Sequence, residues 1–305
     1  MVTTQASGFS PSTDIPSLAG KVILITGANS GLGKQSSLEL AKHGPAQLWM
    51  AARSPEKGIE AVTDVKNKVP GAAVTFLELD LSSFDSIKRA AKTVLDSTQR
   101  LDILMLNAGL MGCPPKLTAE GYEIQMGTNH VGHALLLKLL LPLLECTSGA
   151  RVVSMASSAW KHAGPDKIQF DTLKSLDRGV GPVQRYIQSK VANMLYATEF
   201  AAHHPGLLIV SINPGEVDTN LFTREPGDDF MRSLQTDVVP KVVRPVEEGV
   251  LNQLWAATAP SERLVSGLHY EPVGVHQEPE GLRLDTALAA KLWEWTEKEL
   301  EGETL

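Results

Sequence analysis

The sequence predicts one α/β domain, a doubly wound parallel sheet with helices on both faces, and three observations carry that reading. From Lys21 onward, short apolar runs alternate with amphipathic stretches, as βαβ units require. The first run, Val22-Ile23-Leu24-Ile25, leads into Thr26-Gly27-Ala28-Asn29-Ser30-Gly31-Leu32-Gly33, where three closely spaced glycines open a helical pattern. A length of 305 residues, 43% hydrophobic and 21% charged, supplies a full core for a single domain.

The first twenty residues, rich in Ser, Thr and Pro, have neither a basic segment nor a sustained apolar run. They are expected to form a flexible arm, which leaves 21–305 as the domain. Strands are expected at Val22–Thr26, Gln47–Ala51, Ala73–Leu77, Ile103–Leu106, Arg151–Met155 and Leu208–Ile212, with a short last one at Leu268–Tyr270. The intervening helices are expected near Leu32–Lys42, Pro55–Lys68, Phe84–Ser97, Gly121–Leu144, Gln184–His203 and Pro245–Ala256, with a final one at Asp285–Leu300. Thr219–Thr236 reads as a helix-poor, lid-like insertion. The apolar run Val131–Leu144 is too short to span a bilayer and carries His133, Lys138 and Pro142, so it is expected to be a buried helix and no membrane insertion is predicted.

Composition excludes several functions. A formal charge of −7 with no basic run gives no surface for nucleic acid. The two cysteines, Cys113 and Cys146, have neither CxxC nor His-rich spacing, so neither a zinc site nor a disulfide framework is read and a reduced, cytoplasmic setting fits.

Ligands in such sheets sit beyond the carboxyl ends of the strands, so the residues there are the candidates. In the glycine turn, Gly27 permits the tight bend, Gly31 lets backbone approach a pyrophosphate, and Gly33 lets helix and strand pack closely. The turn is therefore a candidate dinucleotide cradle in a Rossmann-type sheet; alone, it also fits an ordinary left-handed turn. After the second strand stands Arg53, with no Asp or Glu from Leu48 to Ser54. An arginine there suits a 2′-phosphate, which favours NADP(H) over NAD. Asp80, after the third strand, either touches a ligand or starts a turn toward Ser82 and Ser83. Asn107-Ala108-Gly109 ends the fourth strand with short residues that leave room for a cofactor.

Tyr186-x3-Lys190 places a hydroxyl and an ammonium on one helix face. A neighbouring cation favours phenolate, so the tyrosine pKa is expected to fall toward working pH, as a general acid/base for an alcohol or carbonyl needs. The same spacing also fits a plain amphipathic surface. The fifth strand delivers Ser157 and Ser158 to the same rim, where either hydroxyl could bond a substrate oxygen. Asn129 lies in a helical pattern that asparagine disfavours, at a surface or kinked position. His130 and His133 read as packing or surface residues.

In their order, these motifs resemble the short-chain dehydrogenase/reductase family over about Lys21 to Thr219, in its single-domain branch. Gly-Leu-Gly-Lys, Ala-Ala-Arg and Thr-Asn-His-Val-Gly-His are similar to retinol dehydrogenase-like and fungal members. The chain departs from those in three respects: it shows no N-terminal anchor, it has Trp160 where many carry His, and it has Ser154 where Asn is usual. The resemblance implies catalytic roles for Tyr186, Lys190, Ser157 and Asn129. It takes Ser157 before Ser158, and it has Asn129 help hold a proton-relay water. It implies an NADP(H) site built from Gly27, Ser30, Gly31, Leu32, Gly33, Arg53, Asp80, Leu81, Asn107, Ala108, Gly109, Tyr186 and Lys190, with Pro214, Val217 and Thr219 near the nicotinamide.

Ser157 and Tyr186 lie 29 positions apart, farther than in the simplest members, so an extra loop over Trp160–Val183 is expected to shape the substrate pocket. The substrate loops are thus placed at about 158–183 and 219–240. Leu110, Met111, Trp160, Leu221, Phe222, Phe230 and Met231 would suit a bulky apolar ligand there, or could serve as ordinary packing. The expected activity is reduction of a ketone or aldehyde, or oxidation of the matching alcohol, by a monomer or homodimer. An isomerase or cyclase that uses NADPH, and an NADPH-sensing protein without turnover, are the alternatives.

Overall fold

The computed structural model describes residues 8–176, 179–222, 225–277 and 285–305. Strands β1 (Val22–Thr26), β2 (Gln47–Ala52), β3 (Val74–Glu78), β4 (Ile103–Leu106), β5 (Arg151–Met155), β6 (Leu208–Ile212), β7 (His269–Tyr270) and β8 (His276–Gln277) form one sheet. Their order is β3-β2-β1-β4-β5-β6-β7-β8, parallel except for the β7–β8 pair. The order reverses between β1 and β4, and a crevice opens at the carboxyl ends of the strands there. β8, a two-residue antiparallel strand, had no sequence signal.

Alternation along β1 feeds two cores. Val22 and Leu24 join one apolar cluster while Ile23 and Ile25 join the other, and all are buried. Apolar residues on both faces demand helices on both faces. The principal helices are α1 (Gly31–Ala41), α2 (Pro55–Lys68), α3 (Phe84–Ser97), α4 (Gly132–Cys146), α5 (Pro182–His203), α6 (Leu251–Thr258) and α7 (Thr286–Glu299). Local chemistry sets their starts: Ser54 caps α2 with Pro55 in its first turn, and Ser83 caps α3 by accepting from Ser86 N.

Several expectations change. Residues 8–20 do not form a loose arm: Pro11–Asp14 is a helical turn, and Ile15 and Leu18, each 4% exposed, enter the cluster that holds Leu254 and Trp255. The helix expected from Gly121 begins later and in pieces, as Ile124–Met126, a π-helical turn over Gly127–Val131, and then α4. Asn129 and His130 sit in that wide turn. The segment read as helix-poor carries a helix at Asp229–Ser233, capped by Asp228, a π turn at Leu234–Val238 and a helical turn at Val239–Val242.

Between Lys167 and Lys174 the chain packs on α7 and does not line the cleft. Phe170 packs edge-on to Trp295, Lys167 pairs with Asp285, and Lys174 pairs with Glu299. The same helix receives Tyr122 Oη on Glu299 at 2.7 Å and stacks Trp293 on Tyr196. Among the described residues, no helix is long and apolar enough to cross a membrane.

Candidate active site

A cleft of about 1290 Å³ runs across the carboxyl edge of the sheet at the reversal of strand order. That exceeds the usual size for one small ligand and leaves room for a dinucleotide and a substrate together.

Its floor is the turn after β1. Gly27 has φ +66°, and a Cβ there would stand 2.9 Å from Ala108 Cα. A Cβ on Gly33 would stand 2.5 Å from Gly27 O, so this contact between helix start and strand end tolerates only glycine. Ser30, Gly31 and Leu32 line the cleft beside it. Thr26 locks the neighbouring strand end in place: its Oγ1 accepts from Asn107 N and Ala108 N, both at 2.9 Å, and its carbonyl accepts from Asn107 Nδ2 at 2.8 Å. Asn107, Ala108 and Gly109 therefore face the cleft as a fixed ledge.

At one end stand Arg53, Ser54 and Lys57, with Asp80 and Leu81 adjacent. Two cations flanking the start of α2 suit a phosphate. Lys57 went unassigned in the sequence, although its place four residues after Arg53 was the available signal. Asp80 combines both readings of its position: it lines the cleft, and its Oδ1 accepts from Ser82 N and Ser82 Oγ.

At the other end β5 and α5 bring Ser157, Tyr186 and Lys190 together. Hydrogen bonding from Ser157 favours the Tyr186 phenolate, while Ser158 Oγ, also at the cleft, donates to Glu216 Oε1 at 3.0 Å. The structure thus separates the two serines. Lys190 Nζ donates to Met155 O at 2.9 Å and lies 5.7 Å from the Tyr186 ring centroid.

The expected fall in the Tyr186 pKa is not observed. Burial pushes it up to about 12, against the opposing Ser157 hydrogen bond, and the nearby Glu216 charge adds to the rise. Burial lowers Lys190 to about 7, so the cation that was to favour phenolate is itself close to losing its proton. Tyr186 is accordingly protonated at neutral pH.

Asn129 is fully buried behind the cleft wall. Its Oδ1 accepts from Leu110 N at 2.7 Å, and its Nδ2 donates to Leu110 O and Ser189 Oγ, both at 2.9 Å. Both amide N–H donors are spent, so this side chain fixes Leu110 in place. Pro214, Val217 and Thr219 stand on the cleft wall after β6, with Val217 3% exposed against Gly249.

Of the apolar candidates, Leu110, Met111, Leu221, Phe222 and Phe230 line the cleft. Trp160 and Met231 do not: Trp160 packs against the α4–α5 core, and Met231 is fully buried over Gly112. Among the described residues, the expected contribution of the loop over Trp160–Val183 to the pocket shrinks to His162 and Val183, beside Ser158 and Ala159 just before it. The 219–240 loop instead supplies Phe230, Leu234 and Val238, and Val242 follows at the same four-residue helical spacing; none of the last three was anticipated.

The residues fit a dinucleotide on internal grounds. Besides the glycine floor and the cationic end, Thr128 Oγ1 is buried at the cleft with no partner among the described residues. A buried hydroxyl of that kind is a ready partner for a polar ligand.

Comparison with known proteins places the chain in a family. The short chain dehydrogenase family profile matches residues 21–174. A short-chain dehydrogenase/reductase of Aspergillus calidoustus, drtF, is 34% identical over 309 residues, covering 95% of this chain and 97% of its own. Human retinol dehydrogenase 13 is 33% identical over 281 residues, covering 90% and 83%. A solved structure from Mycobacterium paratuberculosis superposes with a TM-score of 0.74 at 31% identity, covering 96% and 97% of the two chains. On the fold, the ordered motifs and these matches together, the chain belongs to the short-chain dehydrogenase/reductase family of oxidoreductases.

Proposed function

We propose that the chain is an NADP(H)-dependent reductase of bulky apolar ketones or aldehydes, able to run the reverse alcohol oxidation. The observation that carries this reading is a single cleft with two cations at one end and the Ser157–Tyr186 pair beside Lys190 at the other. Family membership supports a nicotinamide cofactor; Arg53 and Lys57 support its 2′-phosphorylated form.

When bound, the nicotinamide cofactor supplies the hydride. Arg53 and Lys57 would hold its 2′-phosphate, the Gly27–Gly33 turn its pyrophosphate, and Lys190 its nicotinamide ribose. Tyr186, protonated at neutral pH, donates its Oη proton to the carbonyl oxygen of the substrate. Ser157 holds that oxygen and hydrogen-bonds the tyrosine as its charge changes. Tyr186 is 5% exposed and Lys190 3%, so water is excluded around the transferring proton. On the substrate side, Phe230, Val238 and Val242 are 64%, 44% and 50% exposed, an apolar surface for a ligand to cover. Covering one such side chain fully contributes about 1.5–3 kcal/mol.

Two experiments test the assignment of the proton pathway. Ser157→Ala is expected to lower kcat by about 10- to 100-fold, because it removes a transition-state donor. Ser158→Ala should stay within about threefold of the parent, because its hydroxyl serves Glu216 alone. Equal losses in the two variants would contradict the assignment of the serines.

The second is a pH profile. Lys190 titrates at about 7 and is charged below that value, so kcat/KM for reduction should be flat on the acid side and fall about tenfold per unit above it. Tyr186, at about 12, keeps its proton throughout. Lys190→Met should abolish this limb at a reduced rate. A wild-type profile flat from about pH 6 to about pH 9 contradicts the reading.

A further inference from the structure

The second residue of α4, just after the π turn, does not line the cleft. His133 is 3% exposed, and each ring nitrogen has one close partner: Nδ1 lies 3.0 Å from the main-chain carbonyl of Asn129, and Nε2 lies 2.8 Å from Thr26 Oγ1. A carbonyl oxygen only accepts, so Nδ1 carries the hydrogen. Burial holds the ring neutral far below its usual pKa, with its titration at about 3, so Nε2 is the acceptor.

The direction of the remaining bond follows. Thr26 Oγ1 already accepts from two backbone N–H groups, and its own hydrogen goes to the nearest acceptor. That acceptor is His133 Nε2 at 2.8 Å, closer than Met105 O at 3.4 Å. One directed series therefore runs from the Asn107 and Ala108 amides through the Thr26 hydroxyl and the imidazole to the Asn129 carbonyl. Hydrogen bonds aligned in this way in a dry interior reinforce one another. The series joins the ledge under the cofactor to the residue that fixes Leu110. Lys190 and Asn129 both approach Gly109 at its far end, for a Cβ built on Gly109 would lie 3.4 Å from Asn129 Oδ1 and 3.6 Å from Lys190 Nζ.

We propose that His133 is a positioning residue: through this fixed tautomer it aligns Asn129 and the neighbouring Lys190 with the cofactor ledge, and so sets the rate of the chemical step without touching cofactor or substrate. The inference rests on the reductase reading for its kinetic consequence and on the geometry alone for its tautomer. Among the described residues, His130 and Lys190 are the titratable groups that act on the ring, and both oppose its charging. Its neutrality therefore persists through the working pH range.

Two measurements on the whole protein test it. In 15N-histidine-labelled enzyme, two-bond proton–nitrogen correlations should show His133 as the Nδ1–H tautomer with no titration between about pH 5 and about pH 8. An Nε2–H tautomer, or a ring that charges in that range, overturns the proposal whether or not the enzyme turns over. In kinetics, His133→Phe removes both bonds and retains the bulk. The Thr26 hydrogen can then fall back on Met105 O, so the cofactor ledge stays. The expected result is a kcat loss of about 10-fold or more with the Kd of NADPH within about threefold, and a displaced Lys190 limb in the pH profile. His133→Gln, which can present one acceptor and one donor, should recover most of kcat and also covers the case in which the Phe variant fails to fold. Parallel loss of NADPH binding, kcat and Tm without recovery in the Gln variant would make the residue merely structural. Unchanged kcat in the Phe variant would remove the role altogether. A wild-type protein that reduces no carbonyl but shows the expected tautomer overturns the kinetic half of the proposal together with the reductase reading, and leaves only the geometry.

Discussion

Replacing Tyr186 with Phe is expected to lower kcat by about 10²- to 10⁴-fold while the Kd of NADPH changes by less than about threefold. The ring is buried in the wall of the cleft and remains in place, so what disappears is the hydroxyl that meets Ser157 and, in the proposed reaction, the carbonyl oxygen. Loss of one buried hydrogen bond costs stability only about 1 kcal/mol, so the variant should fold. Steady-state rates and fluorescence titration of NADPH separate the two quantities. A kcat within about twofold of the parent would remove Tyr186 from the chemistry.

The second large effect concerns cofactor choice. Arg53→Glu should lower kcat/KM for NADPH by about 100-fold or more. A charge-assisted bond to a phosphate is worth about 1.5–3 kcal/mol, and the reversed charge adds repulsion. The same glutamate can accept from a ribose hydroxyl, so NADH should be used no less well than before. Arg53 is exposed at the cleft edge, which keeps the folded core out of the comparison. Lys57→Ala should act in the same direction with a smaller loss of about 3- to 10-fold. Kinetics with both cofactors on each variant gives the answer. Equal losses for NADPH and NADH would mean that neither cation reads the 2′-phosphate.

What the sequence made legible is what local pattern controls. The β1 run, the glycine turn and the Tyr186–Lys190 spacing are short-range features, and each sits where its period and steric demands place it. Strand ends were good guides because parallel strands deliver their last residues to one rim. The unread features depend on contacts between distant segments. Thr26 and His133 stand 107 positions apart, and nothing in either neighbourhood announces their hydrogen bond. Asn129 drew attention as a helix-disfavoured residue, but its buried bonds to Leu110 depend on how the π turn seats against β4.

The lid-like segment shows a different limit. Pro226 and Gly227 break the pattern just ahead of the helix and mask its start, which Asp228 caps by accepting from Met231 N at 2.8 Å. The place of the stretch after Trp160, just before Tyr186, points to the pocket, whereas in the structure Phe170 and Lys174 pack on α7. The tyrosine pKa was misread because spacing conveys the nearby cation but not the burial of both groups, and desolvation is the larger influence.

The measurement that reaches the central claim most directly is oxidation of NADPH and of NADH, followed by absorbance, with a panel of aromatic, alicyclic and long-chain ketones and aldehydes. The account predicts turnover of at least one bulky apolar carbonyl with NADPH preferred, lost in Tyr186→Phe. Tight NADPH binding with no oxidation across the panel, or turnover that survives in Tyr186→Phe, would contradict it.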